Sequence, residues 1–316
     1  MEILRTPDNR FDALTASGGP DAFPYEPGYV EVPSGDGTTL RVAYVADGPA
    51  DGPVVLLLHG EPTWSYLYRS MLPVLADRGL RAVALDLVGF GRSDKPAAIG
   101  DYTYARHVEW VRSAVVDGLG LRDITLVGQD WGGLIGLRLA TENPDRFAAI
   151  VAANTGLPTG DHPMPDIWWA FRNAVESAPT LDIGRLVASG CRRGLSDAAR
   201  AGYDAPFPDE TFKAGARAMP LILPTAPDDP AAPANRQAWQ RLTEWTKPFL
   251  VAFSDSDPIT GPMGPILARS IPSAAPREHP VITDAGHFLQ EDAGNELAVT
   301  IADFVRATVS PTNLRN

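Results

Sequence analysis

Three residues have the types and local settings for coupled nucleophilic and proton-transfer chemistry. Asp130 stands between glycines in VGQDWGG (127–133), His287 lies in DAGHFLQE (284–291), and Asp257 closes the acidic pair of FSDSDPITGP (253–262). Gly128-x-Asp130-x-Gly132 follows an apolar run and precedes LIGLRLA (134–140), the strand–turn–helix context of a nucleophile elbow. There the glycines relieve crowding around a sharply turned, strained residue and lift its side chain to a helix N-terminus. An aspartate in that place is ionised at neutral pH and attacks without a base, which suits displacement at a saturated carbon better than attack on an acyl carbon. A helix-capping Asp is the plain alternative, and only the surroundings choose between them.

Those surroundings point one way. HGEPTWSYLYR (59–69) follows the run VVLLL and forms a turn that can aim the backbone N–H of Glu61 at the site, opposite the N–H of Trp131, as a two-donor oxyanion hole. The pair His59-x-Glu61 also opens a zinc-deaminase signature, but that needs a second motif with two cysteines, and Cys191 is the only cysteine. Of five histidines, His287 has the address from which a ring can reach over a sheet to an elbow; His107, His162 and His279 fall on a mid-chain helix, in an insertion and near a strand. Asp257 is the better placed orienter for His287, with Asp255 as runner-up. LDLVGFGRSD (85–94) contains Gly89-x-Gly91, but Asp94 occupies the third glycine position of a dinucleotide fingerprint, so no NAD site is expected.

The elements that position these residues read as a parallel sheet. GYVEVPSGDGTTLRVAYVAD around Gly35-Asp36-Gly37 predicts an opening β-hairpin. VVLLLH (54–59), RAVALDL (81–87) and ITLVGQ (124–129) lack alternation, as strands covered on both faces do, and AAIVAAN (148–154), PFLVAFSDSD (248–257) and REHPVI (277–282) add more. Tyr104, Val108, Val111, Val115 and Leu119 form one apolar stripe of a connecting helix, and Leu297, Ile301, Phe304 and Val305 one of a closing helix. From Gly156 to about Pro233 no strand-like run occurs. The expected organisation is a discontinuous sheet domain, residues 1–155 and 234–316, interrupted by a helical insertion, 156–233, whose return linker is PTAPDDPAAP.

Composition bounds the partners. The 316 residues carry 39 acidic against 27 basic side chains, a net charge of −12, with no basic block, so neither nucleic acid nor an anionic membrane surface is an expected partner. With 44% apolar and 21% charged residues the chain can bury a large core. A single cysteine excludes an internal disulfide framework and suits a reducing compartment; with no signal-peptide pattern, the expectation is a cytoplasmic protein, monomeric or weakly oligomeric.

HGEPTWSYLYR, DLVGFGRSDKP, YTYARHVEW, GQDWGGLIGLRLA, NTGLPTGD, APFPDETFKAG and DAGHFLQE together resemble the haloalkane dehalogenases, and the resemblance covers most of the chain. It implies the α/β-hydrolase fold: a mostly parallel sheet of about eight strands with helices on both faces, the insertion serving as a cap, and the order nucleophile, acid, histidine. It implies hydrolysis of a carbon–halogen bond without metal or organic cofactor: Asp130 forms an alkyl ester, His287 oriented by Asp257 activates water, and the alcohol, the halide and a proton leave. Trp131 is then a halide donor through its indole N–H. The family's second donor is a cap tryptophan; aligned outward from LPTGD, that position holds Phe171, in Trp168-Trp169-Ala170-Phe171. Trp168, one helical turn earlier, either supplies the N–H or is an aromatic wall of the cap; Phe171 and Trp169 are candidate pocket residues. Epoxide hydrolases share the elbow aspartate but need cap tyrosines, and only Tyr203 lies in the insertion; a ligand-binding protein on a lapsed hydrolase scaffold is the remaining alternative.

Overall fold

The computed structural model describes residues 1–16 and 18–309. Seven strands form the central sheet: β1 (Gly28–Pro33), β2 (Thr39–Asp47), β3 (Val54–Leu58), β4 (Arg81–Leu85), β5 (Ile124–Gln129), β6 (Phe147–Ala153) and β7 (Phe249–Val251), in the order β1-β2-β4-β3-β5-β6-β7. β2 runs antiparallel to β1 and β4, and every later pairing is parallel. Just past β7, Phe253–Ser254 pairs in parallel with β8 (Val281–Ile282), an eighth short strand. The strand expected over 277–282 is thus only its last two residues; Arg277, Glu278 and His279 stay outside the ladder, and His279 Nδ1 instead accepts the Val251 N–H at 3.2 Å.

The unalternating runs are strands because both faces are covered. Val55 to Leu58 and all of β5 are buried. One face receives α3 (Trp131–Glu142), almost wholly buried. α2 (Tyr104–Arg112) carries the predicted stripe, but its continuation over Ser113–Gly118 widens into a π-helix, and Val115 keeps its buried place there. The closing helix α10 (Leu289–Thr308) packs on α1 (Met71–Asp77) and buries Leu297, Ile301, Phe304 and Val305.

Between β6 and β7 no strand occurs in 156–233. This stretch holds α4 (Asp166–Ser177), α5 (Ile183–Ser189), α6 (Asp197–Asp204) and α7 (Ala214–Ala218). α8 (Ala232–Leu242) packs on α3, so the change-over expected at 233/234 falls inside the first turn of a helix that already lies on the sheet's helical layer. The insertion is tied to the rest by Trp64 Nε1, which donates to the Gly202 carbonyl at 3.1 Å, and by Glu291, which accepts Tyr203 Oη and, at 2.8 Å, Arg69 Nη2.

Register decides where the chemistry gathers. Leu58 stands opposite Gly128, Gly128 opposite Ala152, and Ala152 opposite Val251, so four adjacent strands end level. The turns beyond those ends hold Glu61, Asp130, Asn154 and Asp257, and the loop after β8 holds His287. This C-terminal edge is where open parallel sheets build their sites.

Candidate active site

Asp130 sits between β5 and α3 with φ of 50°, a left-handed backbone that L-residues adopt at a cost. Its N–H donates to the Asn154 carbonyl at 3.0 Å, and Thr155 Oγ1 donates to its carbonyl at 2.7 Å. The flanking glycines are obligatory on steric grounds. A Cβ on Gly132 would stand 1.9 Å from the Leu58 carbonyl oxygen, one on Gly128 2.6 Å from Gly133 Cα, and one on Gly60 2.3 Å from Asp130 Oδ1.

The two carboxylate oxygens of Asp130 face different partners. Oδ1 accepts the Glu61 peptide N–H at 2.9 Å. Beside it the Trp131 N–H is among the unpaired donors of the α3 N-terminus. Oδ2 lies 3.5 Å from His287 Nε2. The other ring nitrogen, Nδ1, is 3.0 Å from Asp257 Oδ2 and donates to it. Asp257 is buried and accepts further bonds from Ile259 N (2.9 Å), Thr260 N (3.2 Å) and Thr260 Oγ1. The runner-up Asp255 is spent on its own loop, accepting the N–H groups of Asp284 and Ala285.

Electrostatics separate the acids by role. Burial disfavours the His287 cation, but the carboxylates of Asp257 and Asp130 outweigh it and lift the ring to about 10. Burial would raise Asp257, yet the His287 charge and the hydrogen bonds around it hold it at about 2. Glu61 goes the other way: burial, reinforced by the Asp130 charge, pushes its carboxyl well above the usual carboxylate range. Its Oε1 is buried without a hydrogen-bond partner.

Above this cluster, and under the insertion, opens a cavity of about 1250 Å³ lined by Glu61, Asp130, Trp131 and His287 on the sheet side and by Trp168, Phe171 and Leu223 on the insertion side. Trp131 and Trp168 are both buried, and among the described residues neither indole N–H has a hydrogen-bond partner. Trp168 and Phe171 face the cavity three residues apart on α4, as the helical spacing requires. Trp169 does not line it: it is 36% exposed and packs edge-on against Trp168 with ring centroids 4.8 Å apart, because the next residue of a helix turns about 100° away. The pocket role expected for Trp169 is therefore corrected.

Two positioning residues escaped the sequence reading. Asn154 Nδ2 donates to Ser254 Oγ (2.8 Å) and to the carbonyls of Gly286 (2.9 Å) and His287 (3.0 Å), tying the histidine loop to β6. Gln129 Nε2 donates to the His287 carbonyl at 3.2 Å and lies 3.1 Å from its Nε2. An Asn closing an apolar strand beside the elbow strand was the available signal for the first, and adjacency to Asp130 for the second.

A strained acidic residue between a parallel strand and a helix, with an acid and a histidine from two later loops, places the chain among the α/β-hydrolases. In agreement, the family described as alpha/beta hydrolase fold matches residues 53–294. A haloalkane dehalogenase of Psychrobacter cryohalolentis is 50% identical over 96% of this chain and 98% of that protein, and haloalkane dehalogenase 1 of Mycobacterium tuberculosis 52% over 98% and 100%. The tetrameric haloalkane dehalogenase DpaA of Paraglaciecola agarilytica NO2 superposes with a TM-score of 0.86 at 36% identity, covering 95% and 97% of the two chains. The chain belongs to the haloalkane dehalogenases.

Proposed function

We propose that this chain hydrolyses haloalkanes with Asp130 as nucleophile. The observation that carries the reading is the division of labour at Asp130, Oδ1 on the Glu61 N–H at 2.9 Å and Oδ2 facing His287 at 3.5 Å. One Asp130 oxygen attacks the halogen-bearing carbon; a C–O bond forms as the C–halogen bond breaks, leaving an alkyl ester and a halide ion. The halide needs donors in a site poor in water, and the unpaired indole N–H groups of Trp131 and Trp168 are placed to supply them. Phe171 contributes only apolar wall.

Esterification neutralises Asp130 and so removes one of the two carboxylates that hold a proton on His287. The ring then gives up that proton to solvent, its freed Nε2 takes a proton from water with the positive charge facing Asp257, and the resulting hydroxide attacks the ester carbonyl. Oxyanion charge falls on the Glu61 and Trp131 N–H groups. Collapse breaks the ester C–O bond, the hydroxyl proton of the intermediate passes to the departing alkoxide to give the alcohol, and Asp130 is restored as a carboxylate beside a His287 ring that is again protonated. The balance is haloalkane plus water to alcohol, halide and a proton. No metal or organic cofactor enters these steps.

Epoxide opening would need an acid from the insertion. Tyr203 Oη is committed to Glu291, and no tyrosine lines the cavity among the described residues, which favours the dehalogenase reading. An intact nucleophile, base and acid likewise disfavour a ligand-binding scaffold. In this reading 156–231 is a cap over the site. A cytoplasmic location rests on the single reduced cysteine, Cys191; among the described residues no helix is long and apolar enough to cross a membrane. A monomer or weak oligomer is carried forward against the tetramer described for the Paraglaciecola protein, and light scattering decides between them. The test of function is halide release from brominated and chlorinated alkanes, abolished by Asp130→Ala; release that persists in the variant sinks the nucleophile assignment.

A further inference from the structure

Two acids, Glu291 and Asp292, stand in the first turn of α10, the helix that follows His287, and both hold the insertion. Glu291 accepts Tyr203 Oη. Asp292 is buried and, among the described residues, accepts three backbone N–H groups: Arg192 N at 2.8 Å, Arg193 N at 2.7 Å and Gly286 N at 2.8 Å. The first two belong to loop 190–193 of the insertion, just past α5, and the third to the residue before His287. One carboxylate thus ties the insertion to the peptide that leads into the base.

The two loops meet without a gap. Phe288 N donates to the Gly190 carbonyl at 3.4 Å, and a Cβ on Gly286 would stand 2.3 Å from that carbonyl oxygen. Phe288 packs edge-on against the His287 ring, with centroids 4.9 Å apart. The ion pairs of the Arg192 and Arg193 side chains with Asp284, at 3.7 and 3.2 Å, are exposed and add little. Asp257, by contrast, is held within the core, by the turn that leads into α9 (Met263–Ser270). The core also holds the carbonyls of Gly286 and His287, through Asn154, while the Gly286 N–H goes to Asp292. A buried carboxylate that loses donors is strongly destabilised, so Asp292 stays in place to hold Gly286 only while loop 190–193 is docked on it.

We infer that Asp292 is a positioning residue for the second half of the reaction: it makes the docking of loop 190–193 a condition for His287 to stand where it can activate water. The inference rests on the dehalogenase reading above and adds a residue to its hydrolytic step. Asp292 does not line the cavity, and displacement by Asp130 does not use His287. Losing the tie therefore spares ester formation and slows ester hydrolysis, a misplacement of about 1 Å being enough to slow a step by up to about a hundredfold.

The test follows the alkyl ester on the intact chain, by rapid quench and mass spectrometry with a bromoalkane, in the wild type, Asp292→Asn and Gly190→Ala. Asp292→Asn keeps the shape but turns an NH2 group toward at least one of the three N–H donors. Gly190→Ala acts from the insertion, where a φ of −94° suits alanine: its Cβ falls 2.7 Å from the Phe288 ring, which must then press on His287. The expected result in both variants is ester formation within about threefold of the wild type and ester decay slowed by about tenfold or more. Decay at the wild-type rate in either variant, or formation and decay slowed by one common factor, would overturn the assignment. Should Asp292→Asn fail to fold by circular dichroism, Gly190→Ala decides by the same two criteria. A wild-type protein that releases no bromide would remove the dehalogenase reading, and this assignment with it.

Discussion

His287 Nε2 stands 3.5 Å from Asp130 Oδ2, too far for a strong hydrogen bond and close enough for strong charge coupling. The gap has two uses. It leaves the attacking oxygen free of a partner that would have to be stripped away before displacement. It also makes the proton affinity of the ring depend on whether Asp130 is charged, so one carboxylate is both nucleophile and switch for the base that follows.

Removing the other carboxylate should separate the two steps. Asp257→Asn leaves Asp130 able to attack but deprives His287 of the largest influence holding it up near 10, and of the acceptor that fixes its tautomer. We expect a burst of halide close to one equivalent, followed by turnover slowed by about 10² to 10⁴. Rapid-quench halide measurement distinguishes this from a uniform loss of both phases, which would contradict the assignment.

Glu61 gives a stability signature. Its unfolded carboxyl loses a proton above about 4.5, while in the folded protein burial and Asp130 keep it protonated well above that. Folding must therefore re-protonate it, at a cost that grows by about 1.4 kcal/mol per pH unit over that interval. Glu61→Gln removes the cost, so its urea midpoint should exceed that of the wild type at pH 8 and lose that advantage at pH 4. An offset that does not vary with pH would show that the acid is ionised in the fold.

The indole donors can be ranked by bromide affinity from tryptophan fluorescence. Trp131→Phe should weaken bromide by tenfold or more, about what a hydrogen bond to an ion is worth. Trp168→Phe should weaken it several-fold. Trp169→Phe, outside the cavity, should change nothing. An unchanged constant for Trp168→Phe would make that residue a wall alone.

The elbow glycines differ sharply from turn glycines. Gly132→Ala forces a Cβ against the Leu58 carbonyl oxygen, backbone that cannot swing aside, and should cost about 3 kcal/mol or more. Gly120→Ala meets open space and bears only the strain of φ at 60°, about 1 kcal/mol. Urea denaturation compares them; equal losses would refute the steric account.

Much of the site was legible because its chemistry is written in local spacing. Gly128-x-Asp130-x-Gly132 after an apolar run can be read in one window, and His287 stood out because its loop follows the last strand. What was hidden depends on distant contacts. Asn154 looks like a strand end until the fold brings Gly286 and His287 to its amide. Trp168 and Trp169 are identical by type, and only the phase of α4 against the cavity separates them. Short β8 begins only at Val281 because its one partner is the two-residue stretch Phe253–Ser254, and α8 begins at Ala232 because α3 is there to receive it.

The most direct test is to stop the reaction halfway. His287→Phe, incubated with a bromoalkane, should release about one equivalent of bromide per chain and gain the mass of the alkyl group, with the added mass on the peptide that carries Asp130. Bromide release without a covalent increment, or an increment on any other residue, would contradict the account.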